Sequence, residues 1–121
     1  MIALEHKGYI LNLNRSERSS STNLEATQWA YNWLKDCNIP LQYLTQNGQC
    51  VILVICVDSY QENQVLDIAK KAMLSSLIYI ENHKVTRFYL NGDSEVLGTL
   101  SVTEYPTKSS YLLGEEYWDL A

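Results

Sequence analysis

The 121-residue chain is 46% hydrophobic and 19% charged, the composition of one globular domain with its own core and not of a disordered segment. Its net charge of −5 lies entirely near the C-terminus: residues 1–90 balance eight Lys/Arg against eight Asp/Glu, whereas residues 91–121 set Lys108 against Asp93, Glu95, Glu104, Glu115, Glu116 and Asp119. That acidity, with no clustered basic stripe elsewhere, disfavours nucleic acid as a partner, and no apolar run reaches the length of a membrane-crossing helix.

The first predicted element is a strand at Tyr9–Leu13, where apolar residues alternate. A polar run follows from Asn14 to Ser21, and Thr22-Asn23-Leu24-Glu25 has the form of a capping box at a helix start. Ala26, Trp29, Ala30, Trp33, Leu34 and Cys37 then make one helical stripe, closed by Asn38-Ile39-Pro40. Leu41–Thr45 and Gln49–Val57 predict a hairpin across Asn47-Gly48, since both turn residues tolerate positive φ.

The second of those strands carries the strongest structural signal in the chain. Cys50 to Val57 is an unbroken apolar run rich in β-branched residues, as expected of a central strand covered on both faces. Val51, Leu53 and Ile55 are expected on one face, with Ile52, Val54 and Val57 on the other. Trp29, Trp33, Ile68 and Met73 are expected among the helix residues that cover it.

Ser59-Tyr60-Gln61-Glu62 is a second capping box, and Val65, Leu66, Ile68, Ala69, Ala72, Met73, Leu77 and Ile80 extend a helical stripe to about Tyr79, with Leu77-Ile78-Tyr79-Ile80 as the start of a strand the alternative. Val85–Leu90 and Glu95–Glu104 predict a second hairpin around residues 91–94, in which Gly98 suggests a bulge. The order β-α-β-β-α-β-β predicts an α+β two-layer sandwich: a ferredoxin-like antiparallel sheet with two helices on one face. Roadblock-like and secretion-chaperone-like sandwiches are the alternatives. Residues 1–107 form the expected single domain, and 108–121 an acidic, aromatic C-terminal tail.

For function, no GxSxG, HExxH, P-loop or CxxC is present, and His6 and His83 lie in no recognisable motif. No catalytic residue, metal site or cofactor is expected, although an enzyme with a site built from scattered residues remains an alternative. Three cysteines, an odd number with no ligand spacing, read as free thiols; with no signal-peptide pattern in Met1–Lys7 they point to the cytoplasm.

Two segments carry binding chemistry. The loop Arg15–Thr22 holds two guanidinium groups and several hydroxyls before a helix N-terminus; Arg15, Arg18, Ser19 and Thr22 are candidate anion ligands, though no glycine lets backbone approach a phosphate. In the tail, Tyr111, Leu112, Leu113, Tyr117 and Trp118 are candidate partner-binding residues, apolar anchors flanked by acid; the alternative is that the tail folds back over the sheet. Nine tyrosines against one Phe suit half-exposed interfaces. The primary expectation is a non-enzymatic protein–protein interaction module, an adaptor, chaperone-like or regulatory subunit that also forms homodimers. The second is a small-ligand or anion sensor using the Arg15–Thr22 loop.

Overall fold

A computed structural model describes residues 7–56, 58–107, 110–113 and 115–120. Among them are β1 (Gly8–Leu11), α1 (Ser20–Asp36), β2 (Leu41–Gln46), β3 (Gln49–Ile55), α2 (Ser59–Lys71), β4 (Ser76–Glu81), β5 (Lys84–Tyr89), β6 (Ser94–Thr103), β7 (Tyr111–Leu113) and β8 (Glu116–Leu120). The strands close into an antiparallel barrel in the order β1-β3-β2-β7-β8-β6-β5-β4, with β4 pairing back to β1. This overturns the expected ferredoxin-like α+β sandwich, and the roadblock-like and secretion-chaperone-like alternatives with it. The sheet closes on itself instead of lying open as one layer, and the two helices pack on the outside of the closed wall.

The difference has a local cause in α2. That helix does not run to Tyr79 but stops at Lys71, and Leu77-Ile78-Tyr79-Ile80 belongs to β4. Met73 adopts φ 58°, while Leu74 N donates to the Ala69 carbonyl at 2.9 Å and Met73 N to that of Lys70 at 3.1 Å. These are the paired bonds of a Schellman stop, here with a non-glycine residue in the left-handed position. α1 ends in the same way, with Asn38 at φ 58°, Ile39 N bonded to Leu34 and Asn38 N to Lys35. The helix starts also move upstream. Ser19 caps α1 by accepting from Thr22 N at 3.2 Å, and Asp58 caps α2 by accepting from Gln61 N at 2.8 Å.

β4 forms a tight hairpin with β5 through Asn82 and His83, at φ 55° and 68°. Residues 111–113 and 116–120, expected in the tail, are β7 and β8, which bridge β2 to β6 and complete the wall. The bulge lies between Val85 and Thr86, where β5 meets β6 near Gly98.

Two cores result. Outside the wall, Tyr9, Leu11, Ile52, Val54 and Cys56 pack under Ala30, Leu34, Val65, Ile68 and Ala69 of the helices. Inside it, Ile10, Leu44, Val51, Leu53, Ile80, Val85, Leu100 and Leu113 fill the barrel. β3 is thus buried on both faces, with Val51 and Leu53 inward and Ile52 and Val54 outward, as its unbroken apolar run requires. Val57 lies outside the described residues. Of the expected covering residues, Ile68 is buried and Trp33 packs against the outer core, whereas Trp29 is 40% and Met73 77% exposed. β1 presses so closely on β3 that a Cβ added at Gly8 would meet the Val54 carbonyl oxygen at 2.2 Å.

Candidate ligand-binding site

An antiparallel barrel of eight strands has an interior that side chains fill or that holds one small ligand. Here it does both. The interior is apolar at depth and becomes polar toward the end where β1, β2 and β5 finish and β4 and β7 begin. Side chains alternate along a strand, so each inward residue sits two steps from the next. Asn12 follows Ile10 inward, Gln46 follows Leu44, Arg87 follows Val85, and Tyr111 precedes Leu113. A cavity of about 570 Å³ opens at this polar mouth, a volume suited to a small ligand.

Its walls combine Ile10 and Ile78 with the amides of Asn12, Asn14 and Gln46, the hydroxyls of Ser75 and Ser76, and Tyr111. Two cations line it, Arg15 and Arg87, and among the described lining residues there is no carboxylate. In a chain of net charge −5 this is a local reversal of sign.

The two arginines differ in state. Arg15 is engaged: its Nη2 donates to the carbonyls of Ala72 at 2.8 Å and Met73 at 3.2 Å, at the C-terminal end of α2. The buried Asn23 side chain clamps its backbone, accepting from Arg15 N and donating to the Arg15 carbonyl, each at 3.0 Å. Arg87 stands on β5 in register with Ile78, which is itself in register with Ile10. Its Nε is shielded from solvent and has no hydrogen-bond partner among the described residues. Opposite it across the β5–β6 ladder is the exposed Glu95, with which it forms no ion pair.

Tyr111 is only 8% exposed. Burial raises its phenol pKa, and the Gln46 side-chain hydrogen bond and the Arg87 charge oppose that rise. On the rim, Asn14 Nδ2 donates to Asn12 Oδ1 at 2.8 Å and to the Cys50 carbonyl at 2.9 Å, which fixes both amides.

The residues singled out in the sequence are dispersed. Arg15 reaches the cavity rim, while Arg18 lines a separate depression with Trp29 and Lys71. Ser19 caps α1, and its hydroxyl donates to Thr22 Oγ1 at 2.9 Å, so both hydroxyls serve the helix start. In the C-terminal segment Tyr111 and Leu113 are buried within the barrel, and Trp118 packs against them. Leu112 and Tyr117 instead line an outer groove with Thr45 and Pro106.

His83 stacks on Trp118, with centroids 5.8 Å apart and planes within 12°. His6 lies outside the described residues. Among the described residues no three metal-ligating side chains gather. Cys37, Cys50 and Cys56 are free thiols.

Arg87, Gln46 and Asn12 belong to no motif in the sequence. Their signal is a polar residue continuing the inward register of an apolar strand, as Arg87 continues that of Val85. It becomes readable only once the inner face is known.

No protein-family model matches the chain, and no curated protein matches it. No helix among the described residues is long and apolar enough to cross a membrane.

Proposed function

We propose that this protein is a small-ligand-binding barrel that takes a compact anion in the polar mouth of its interior. The observation that carries the reading is a buried, unpartnered Arg87 Nε in a cavity that bears two cations and no described carboxylate. A buried guanidinium N–H left without an acceptor is costly, and an anion that reaches it relieves that cost. The amides and hydroxyls that line the cavity supply orientation. The chain acts here as a binder or sensor, and the free thiols support a reducing, cytoplasmic setting.

A thermal-shift and calorimetric screen of small carboxylates, phosphates and sulfate against the full chain tests this. Saturable binding that disappears in Arg87→Met is the expected result. If no anion raises the melting temperature, or if Arg87→Met binds as well as the parent, the reading fails.

A second reading, a docking module, has its own support. The groove of Thr45, Pro106, Leu112 and Tyr117 faces outward, and the exposed Tyr105 and acidic Glu104, Glu115 and Glu116 adjoin it in sequence. Its partner would be an extended basic segment. Fluorescence anisotropy with Lys/Arg-rich peptides should show salt-sensitive binding that Tyr117→Ala removes. Indifference of every such peptide to the protein would discard this reading.

A further inference from the structure

We infer that the anion is a monocarboxylate, held by the Nε/Nη edge of Arg87, whose body lies along Ile10 and Ile78 and ends in an uncharged polar group at the rim. The inference rests on the anion-binding reading above and narrows it by charge, shape and layering.

Arg15 donates to two carbonyls at the C-terminus of α2, where the helix dipole places a partial negative charge. Its Nη2 donor is therefore taken up within the fold, which leaves Arg15 less free to meet a ligand. Arg87 has no ion pair among the described residues, the exposed Glu95 standing opposite it on β6, and it is the cation whose Nε holds no bond. A monoanion neutralises it. A phosphate dianion or sulfate would bring a surplus negative charge into a partly enclosed site, where uncompensated charge is strongly disfavoured.

Shape points the same way. A guanidinium presents parallel N–H groups along one edge, matched to the two oxygens of a planar carboxylate. Because Arg87 Nε holds no partner, the group can turn toward an entering acid without breaking a bond made at Nε. Tyr111 lines the same cavity as Arg87 and adds a phenolic hydroxyl to its wall.

Layering sets the rest of the ligand. Arg87 shares its level with Ile10 and Ile78, so the groups nearest the bound carboxylate are apolar. Asn12 and Ser76 stand one inward step nearer the opening, and Ser75 and Asn14 flank them. Those are neutral donors and acceptors, suited to a hydroxyl or amide and not to a second charge.

The test is isothermal titration of the full chain at pH 7 with propanoate, 4-hydroxybutanoate, benzoate, inorganic phosphate and sulfate. The expected result is that a carboxylate binds at least about tenfold more tightly than phosphate or sulfate. 4-Hydroxybutanoate should bind more tightly than propanoate. Arg87→Lys, which keeps the charge and loses the planar fork, should weaken carboxylate binding by roughly tenfold or more.

Phosphate or sulfate binding as tightly as the best carboxylate would overturn this inference while leaving the anion reading intact. Full affinity in Arg87→Lys would remove the side-on fork and overturn it equally. Absence of binding by all five probes removes the anion reading itself. Circular dichroism of each variant separates lost binding from lost folding.

Discussion

Arg15 is bonded to Ala72: its Nη2 donates to the Ala72 carbonyl at 2.8 Å, tying the loop after β1 to the end of α2 across 57 residues of sequence. The Schellman bonds use the carbonyls of Ala69 and Lys70, so this arginine satisfies one that the helix stop leaves over. One guanidinium at the cavity mouth therefore holds the fold together while the other, Arg87, is left without such partners.

The two arginines should respond oppositely to the same substitution. Arg15→Met removes charge-assisted bonds and should lower stability by about 1–3 kcal/mol. Arg87→Met removes a half-buried side chain whose Nε is unsatisfied and should leave stability unchanged or raise it. Urea denaturation of both variants checks this. A large loss in Arg87→Met would mean that the group has a structural partner.

Met73 occupies the left-handed region at φ 58° with its side chain 77% exposed, so it incurs backbone strain for little packing. Met73→Gly should raise stability by about 0.5–1 kcal/mol. Asn38→Gly at the equivalent end of α1 should gain less, since asparagine tolerates that conformation better. The ordering of the two denaturation midpoints is the readout.

Gly8 is required for a different reason. Its hydrogen faces the Val54 carbonyl oxygen, which an added Cβ would meet at 2.2 Å, and backbone in a buried strand cannot move aside cheaply. Gly8→Ala should cost on the order of 3 kcal/mol. Gly48→Ala, where an added Cβ meets nothing within 4 Å but φ is 72°, bears conformational strain alone and should cost less. Thermal melts of the pair decide it.

Burial pushes the Cys56 thiol up to about 12 from 9.0, and the Tyr9 and Tyr79 phenols up to about 12 from 10.0. These groups lose protons on ionising, and the unfolded chain releases them first. Stability should therefore be level across neutral pH and fall as pH rises through the window from about 9 to about 12. Denaturant melts between pH 7 and 11 measure it, and Cys56→Ala should flatten the earliest part of the decline. Stability that rises across this window would contradict the burial of all three.

How much of this was readable in advance depended on whether a signal was local. The Asn47-Gly48 hairpin, the two-sided burial of β3 and the presence of both helices follow from turn chemistry and apolar spacing within a short window. β4 was missed because Leu77 and Ile80 extend the helical spacing of α2, and because a Schellman stop at Met73 carries no glycine to announce it. The hairpin at Asn82-His83 also lacks a glycine, so β4 and β5 did not look joined. Closure itself was not legible. It depends on β7 making only two register pairs with β2, Thr45 with Leu112 and Gln46 with Tyr111. Without closure there is no inside, and Arg87 reads as an ordinary strand arginine.

The C-terminal hairpin supplies the last prediction. β7 and β8 are the sole described bridge between β2 and β6, and they place Tyr111, Leu113 and Trp118 in the inner core. Truncation after residue 110 should leave a chain without a cooperative melt, because both flanking strands would gain raw edges and the inner core would open. Trp118→Ala in the full chain should cost about 3 kcal/mol. Part of that loss belongs to the His83 ring stacked 5.8 Å from the indole. A double-mutant cycle with His83→Ala should return a coupling of about 0.5–1.5 kcal/mol. Were the truncated chain to melt cooperatively near the parent temperature, the hairpin would be an attachment and not a wall of the barrel. Zero coupling would mean that the stacked rings add nothing to stability beyond their separate contributions.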